Sequence, residues 1–236
     1  MRLKLFFLTT EITPFANATS LADFSAKVPL LLQAKDHDIR IMHPKYGFIS
    51  ERKFILREVI RLREIPFVFD GKDQMTSAKS AFIPRTRVQV YFLEHLDWFK
   101  PLSNLVYKSK NGRILANNDE RVAIFCKGTL ATLPHLFWKP DVFLCNGWQS
   151  SFLPALYKEE YASKDFYENI KTALMVHSMD DEYTNFGQAA FEKAGLKIPA
   201  SMKKGNVNAY EAAAESVDLI IALESPSNNI TEKLLK

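Results

Sequence analysis

Four short runs concentrate the hydroxyl, amide and titratable side chains that could do chemistry: Thr9–Ser20, Asn117–Arg121, Asn146–Ser151 and His177–Tyr183. Taken singly, each reads as an ordinary polar surface loop. Trp98 and Trp148 are candidates to stack on sugar rings, although a partly buried tryptophan is the default for that residue. The acidic trio Asp180, Asp181 and Glu182 could hold a cation, but no further carboxylate is spaced to complete a site, so it reads as a solvated loop. His37, His43 and His135 read as surface or strand-end residues with no evident partner. The eight glycines never fall in a pair, and no GxGxxG or Walker pattern exists, which argues against a dinucleotide or P-loop site. Cys126 and Cys145 form no CxxC and no ligand spacing, so neither a structural metal nor a disulfide framework is expected. Asn17-Ala18-Thr19 matches a glycosylation acceptor only by coincidence, because no secretory signal precedes it.

These runs need elements to position them. Leu3–Leu8 is a nearly continuous apolar run, as a strand covered on both faces would be. After Pro14 a helix is expected from Ser20, with Leu21, Phe24, Val28, Leu31 and Leu32 as its apolar stripe. Ser20 and Asp23 suggest an N-cap in which the hydroxyl bonds the Asp23 amide. Asp38–His43 is the next strand, so the order implies a right-handed βαβ unit. Val59–Phe69 and Val88–Phe92 read as strands, with Asp70-Gly71 as a turn in a hairpin excursion on the same sheet. Helical periodicity returns at Asn118. A strand Val142–Asn146, a helix near Ser151–Tyr161 and a strand Thr172–His177 follow. The chain then gives a helix over Ala209–Ser216, a strand Leu219–Leu223 and a final helix after Pro226. Such alternation predicts an α/β fold with a doubly wound, mostly parallel Rossmann-like sheet, whose ligands sit at the carboxyl ends of the strands. Each of the four polar runs falls at such an end or at an adjacent helix start.

Bulk composition agrees with one large domain or two small ones. The 236 residues are 47% apolar and 25% charged, close to ordinary globular usage. Net charge is +4, and its 31 basic side chains are spread along the chain, so no nucleic-acid surface is indicated. The opening run Met1–Thr10 carries Lys4 and meets Glu11, too short and too charged for a signal peptide or a membrane span. With its two unspaced cysteines, the chain is expected in a reducing cytoplasm.

Taken together, the polar runs resemble one family. Glu11-Ile-Thr-Pro14-Phe15-Ala16 followed by Leu21-Ala22-Asp23 is similar to the opening motif of bacterial glycogen and starch synthases of the ADP-glucose type. That motif runs from an acidic residue through Pro-Phe-Ala and Lys-Thr-Gly-Gly to Leu-Ala-Asp. The resemblance continues through His37-Asp38-Ile39-Arg40, Pro44-Lys45-Tyr46-Gly47, Asn118-Asp119-Glu120-Arg121 and the Pro140-Asp141 to Gln149 segment. Val176-His177 and Asn208 before Asp218 complete it, in order from residue 3 to about residue 225.

The resemblance implies residues 1–236 as a single domain, the N-terminal, acceptor-side half of a GT-B fold, with the C-terminal nucleotide-binding domain absent. It implies glucosyl transfer from ADP-glucose to an α-1,4-glucan, with no metal and no cofactor. The cleft-lining candidates it transfers are Asn17, Thr19, Ser20, Tyr46, Asn117, Asn118, Arg121, Trp148, Gln149, His177 and Asn208. Several depart from the family pattern. Asn17 stands for the lysine that reaches the donor diphosphate, and Thr19 and Ser20 stand for the glycines that let backbone amides approach it. Asn117 and Gly147 stand for aspartates, Gln149 for a histidine found in many members, and Ser178 for an asparagine.

The expectation is therefore a synthase that is weak or inactive alone, with an α-glucan or malto-oligosaccharide as ligand and ADP-glucose as possible donor. A second chain supplying the donor domain is the catalytic version of this reading. The alternatives are a non-catalytic glucan-binding or regulatory relative, and a structural subunit that self-associates through an exposed face. No nucleic-acid or membrane partner is expected.

Overall fold

The computed structural model describes residues 1–102, 106–109, 111–179, 182–224 and 229–235. In chain order the elements begin β1 (Lys4–Leu8), α1 (Leu21–Ala34), β2 (Asp38–Pro44), α2 (Glu51–Phe54), β3 (Arg57–Glu58), β4 (Ile65–Phe69), β5 (Lys72–Phe82) and β6 (Gln89–Glu94). They continue with α3 (Asn118–Thr132), β7 (Val142–Asn146), α4 (Phe152–Leu156), β8 (Lys171–Val176), β9 (Asn185–Gly187), α5 (Gln188–Ala194), β10 (Asn206–Asn208), α6 (Ala209–Ala214), β11 (Leu219–Ala222) and α7 (Ile230–Leu234).

The main sheet runs β11-β8-β7-β1-β2-β6-β5-β3, with β4 paired to β5. From β11 to β6 every pairing is parallel. β5 is antiparallel to β6, β3 and β4. Phe6, Phe7 and Leu8 of central β1 are fully buried, which is why that strand carries no polar alternation. The expected doubly wound, mostly parallel α/β sheet and the hairpin excursion are both present. Asp70 and Gly71 turn the β4–β5 hairpin, both with positive φ (56° and 64°), as a two-residue type I′ turn requires. In β4, Ile65, Phe67 and Phe69 face the core and alternate with exposed residues.

Some local expectations change. The buried face of α1 is Ala22, Ser25 and Pro29 rather than the leucine stripe, and Leu31 is exposed. Ser20 takes the N-cap position without the expected side-chain bond, and the Asp23 carboxylate instead accepts from Thr13 Oγ1 at 2.8 Å. His43 holds the strand-end place expected of it but is fully buried there, whereas His37 has a partner, its Nδ1 accepting the Leu3 amide at 3.2 Å. Beyond α4 the chain continues as a π turn over Tyr157–Tyr161. Pro226, expected to open the last helix, and Asp180 and Asp181 of the acidic trio lie outside the described residues. Lys127, buried in mid-α3, donates to the carbonyl of Ala194 (2.6 Å) and pairs with Glu160 (3.0 Å), tying α5 and the π turn to α3.

The chain builds β1, β2 and β6 on one side of the sheet, then crosses back to build β7, β8 and β11 on the other. The topological switch point therefore lies between the carboxyl ends of β1 and β7. Among the described residues no helix is long and apolar enough to cross a membrane.

Candidate functional site

A cavity of about 510 Å³ opens at that switch point. Three of the four polar runs converge on it. Thr19 and Ser20 come from the loop after β1, with Leu21 and Phe24 of α1. Gly147, Trp148 and Gln149 follow β7, and His177, Ser178 and Tyr183 follow β8. Tyr107 and Tyr210 complete the lining.

Beneath the loop, Glu11 is fully buried and its carboxylate accepts four hydrogen bonds. Oε2 takes the amides of Ala18 (2.9 Å) and Thr19 (2.6 Å), and Oε1 takes the hydroxyls of Thr19 (3.1 Å) and Tyr107 (2.5 Å). Since the single Tyr107 hydroxyl hydrogen goes to Glu11, that oxygen must accept from Gln149 Nε2 (2.8 Å) and Thr10 Oγ1 (2.9 Å). Burial, then the nearby Glu11 charge, pushes the Tyr107 phenol far above its ordinary range, so it stays a donor. Its ring stacks on Tyr183 (5.8 Å, 19°) and meets Trp148 edge-on (5.2 Å). One network thus fixes the post-β1 loop, the post-β7 loop and an aromatic wall.

A second network sets His177. Asn146, fully buried at the end of β7, donates from Nδ2 to Ser25 Oγ (2.9 Å) and Thr9 Oγ1 (3.3 Å). Its Oδ1 faces His177 Nε2 at 2.7 Å, so in this arrangement the imidazole carries its proton on Nε2. Phe24 meets the imidazole edge-on at 4.7 Å. Burial lowers the His177 pKa to about 4, which leaves a neutral ring at pH 7.

The remaining candidates sit elsewhere. Tyr46 is buried behind Tyr107 and donates to the carbonyl of Thr10 at 3.0 Å. Arg121 donates to Asn117 Oδ1 (2.8 Å), Asn118 Oδ1 (2.9 Å) and the carbonyl of Trp98 (3.2 Å). Asn118 donates in turn to the carbonyl of Tyr107 (3.0 Å), so this run braces Tyr107 from behind rather than lining the cavity. Asn208 caps α6 through the Tyr210 amide (2.9 Å) and donates to Thr184 (3.1 Å). Asn17 is exposed and does not line the cavity. Thr19, Ser20, Trp148, Gln149 and His177 are brought together at the cavity.

Phe24, Tyr107 and Tyr210 lie outside the four polar runs, and Glu11, Ser178 and Tyr183 lie within them but not among the cleft-lining candidates. Glu11 stands in the opening motif, but its role depends on a partner 96 positions away. Gly147 has φ 80°, and a Cβ there would lie 2.6 Å from Gln149 Oε1, so glycine and glutamine fit as a pair. Lys108 lies over the Tyr183 ring at 5.7 Å and is not among the lining residues. Among the described residues no group of three His, Cys, Asp or Glu side chains could hold a metal ion.

Residues 4–227 match the family model for the starch synthase catalytic domain. The glycogen synthase of Chlorobium limicola is 35% identical over 223 residues, covering 92% of this chain and 45% of the relative. That of Chlorobium phaeobacteroides is 36% identical over 223 residues, with the same two shares. The chain therefore spans less than half the length of these relatives. Among solved structures, the catalytic domain of starch synthase IV from Arabidopsis thaliana, bound to ADP and acarbose, aligns with a TM-score of 0.79 at 21% identity. That alignment covers 93% of this chain and 44% of the other, and shows a shared fold.

Proposed function

This chain belongs to the starch synthase catalytic-domain family, and from that membership we propose that its cavity receives the end of an α-1,4-glucan. In this reading residues 1–236 act as one acceptor-side domain, forming one wall of a cleft in which ADP-glucose is the glucosyl donor. The observation that carries it is the cavity lining: Tyr107, Trp148 and Tyr183 give ring faces for sugar C–H surfaces, and Thr19, Ser20, Gln149 and Ser178 give hydroxyls and an amide. Asn17 supplies no positive charge for a diphosphate, a loss of the kind worth about 10²-fold or more in rate. Glucosyl transfer by this chain alone is therefore near background, and a non-catalytic glucan-binding role is the second reading that Asn17 favours.

Calorimetric titration of this chain with maltohexaose and, separately, with ADP-glucose tests the proposal. Heat from maltohexaose at millimolar concentration is the expected result. Tight ADP-glucose binding would restore the catalytic reading for the chain alone, and silence with both would leave a subunit role.

A further inference from the structure

We propose that a second, smaller cavity at the carboxyl ends of β2 and β6 binds a single neutral sugar unit through its hydroxyls. The two cavities share no lining residue, so the second site stands whether or not the first receives a glucan end. Its volume is about 250 Å³, under the about 300–1,000 Å³ of a site for a drug-sized ligand, and so suits one ring. Lys45 and Gly47 line it from the loop after β2, and Glu51 from the start of α2. Glu94, His95 and Lys100 come from the end of β6 and the loop that follows.

The walls of this cavity are fixed by backbone contacts. A Cβ on Gly47 would lie 2.0 Å from the Lys100 carbonyl oxygen, so the two loops meet backbone to backbone. The Lys45 amide donates to Leu93 (2.7 Å), and the Phe99 and Lys100 amides both donate to the His95 carbonyl (3.2 and 3.3 Å). Lys79 holds Glu51 at 2.8 Å and Glu94 at 3.4 Å, which orients both carboxylates. Lys45, its side chain 9% exposed, reaches Glu51 only at 3.5 Å, so its ammonium keeps donors to spare. His95 is 8% exposed, and its ring lies edge-on to Phe67 and Phe99 at 6.3 Å each. Its Nε2 meets Gln74 Oε1 at 3.2 Å, so in this arrangement the proton sits on Nε2 and Nδ1 can only accept. No described donor reaches that buried Nδ1. Burial lowers the His95 pKa against the opposing pull of Asp97, which keeps the ring neutral at pH 7.

Imidazole and carboxylate acceptors thus share the cavity with ammonium donors. A sugar hydroxyl serves both, donating to Nδ1 or Glu94 while accepting from Lys45 or Lys100. Sulfate has no hydrogen for Nδ1 and would also meet the negative charges of Glu51 and Glu94.

The test titrates maltose, and separately sulfate, into the full chain while NMR follows the Gly47 amide, the His95 imidazole nitrogens and the Trp148 indole. Maltose is expected to shift the Gly47 amide with a Kd of about 10 mM or tighter. The Nδ1 resonance should move to lower frequency, as a hydrogen bond to its lone pair requires. His95→Phe keeps a ring against Phe67 and Phe99, and Lys45→Met keeps the aliphatic stem. Each is expected to weaken the Gly47 response at least about fivefold, with the Trp148 midpoint held within about twofold. Should His95→Phe fail to fold, Lys45→Met still decides the matter. No Gly47 shift with maltose, an undiminished response in a folded variant, or a response to sulfate instead would overturn the proposal. A Gly47 shift with Trp148 silent would refute the glucan-end reading and leave the second site standing.

Discussion

Tyr107→Phe, which removes one oxygen and keeps the ring, is expected to destabilise the fold by about 3 kcal/mol. That hydroxyl is the single point joining Glu11, Gln149 and Thr10 at 2.5, 2.8 and 2.9 Å. Its removal takes a hydrogen bond from a buried carboxylate and strands the Gln149 amide and the Thr10 hydroxyl, both buried. Each stranded buried group costs about 1–3 kcal/mol, and local rearrangement recovers part of the total. The stacking on Tyr183 and the edge contact with Trp148 survive, because both depend on the ring. Maltohexaose affinity should therefore fall through displacement of Gln149 and the Thr19 loop, by about tenfold. Urea unfolding gives the stability term and calorimetry the affinity term. A stability change below about 0.5 kcal/mol, the scale of an ordinary surface substitution, would contradict this account of the hub.

Acidification is expected to weaken the fold before most carboxylates titrate. His43 is fully buried at the end of β2 between Tyr46 and Phe92, with neither ring nitrogen in hydrogen-bonding geometry. Burial lowers its pKa to about 3, and the backbone groups of Pro44 and Thr10 offset only part of that effect. The unfolded chain takes up a proton on this residue below about pH 6.5, and the native state does so only near pH 3. Stability from His43 is thus complete above pH 6.5 and is lost progressively as pH falls. The loss is about 1.4 kcal/mol per unit, or about 3 kcal/mol between pH 6.5 and 4.5. His177, lowered by burial to about 4, adds a loss of the same sign in this window. His43→Phe keeps a ring between Tyr46 and Phe92 and removes the titration, so its stability should fall about half as steeply on acidification. An unchanged slope in that variant would show that other groups carry the acid sensitivity.

Where the chain announces itself, the signals are those of a parallel sheet and its turns. β1, β7 and β8 are legible because strands buried on both faces must be continuously apolar, and the β4–β5 turn because Asp-Gly supplies two positive-φ residues. The longest strand, β5, was not foreseen as a separate element. Its sequence Lys-Asp-Gln-Met-Thr-Ser-Ala-Lys-Ser-Ala-Phe is held by pairing to β4 and β6 on either side rather than by hydrophobicity. The short β9–β10 pair and α5 were equally quiet, because elements of three and seven residues carry too little periodicity to read.

The cavity divides in the same way. Thr19, Trp148 and His177 could be picked out because they sit in strand-end motifs with recognisable neighbours. Tyr107 could not, since it lies in the irregular stretch between β6 and α3. Only the tertiary fold carries its hydroxyl to Glu11 and its ring to Tyr183, contacts spanning 96 positions in one case. Arg121, Asn117 and Asn118 show the converse. A polar motif at a helix start looked like a cleft wall, but buried Asn118 braces Tyr107, and Arg121 ties Asn118 to the exposed Asn117.

The most direct test of a carbohydrate site at the β1–β7 switch point is a crystal structure of this chain soaked with maltohexaose. The account predicts a glucosyl ring inside the cavity, stacked against the Tyr107, Trp148 and Tyr183 wall and hydrogen-bonded to the Thr19–Ser20 loop or Gln149. An empty cavity with sugar bound at another surface, or with none bound at saturating concentration, would contradict it.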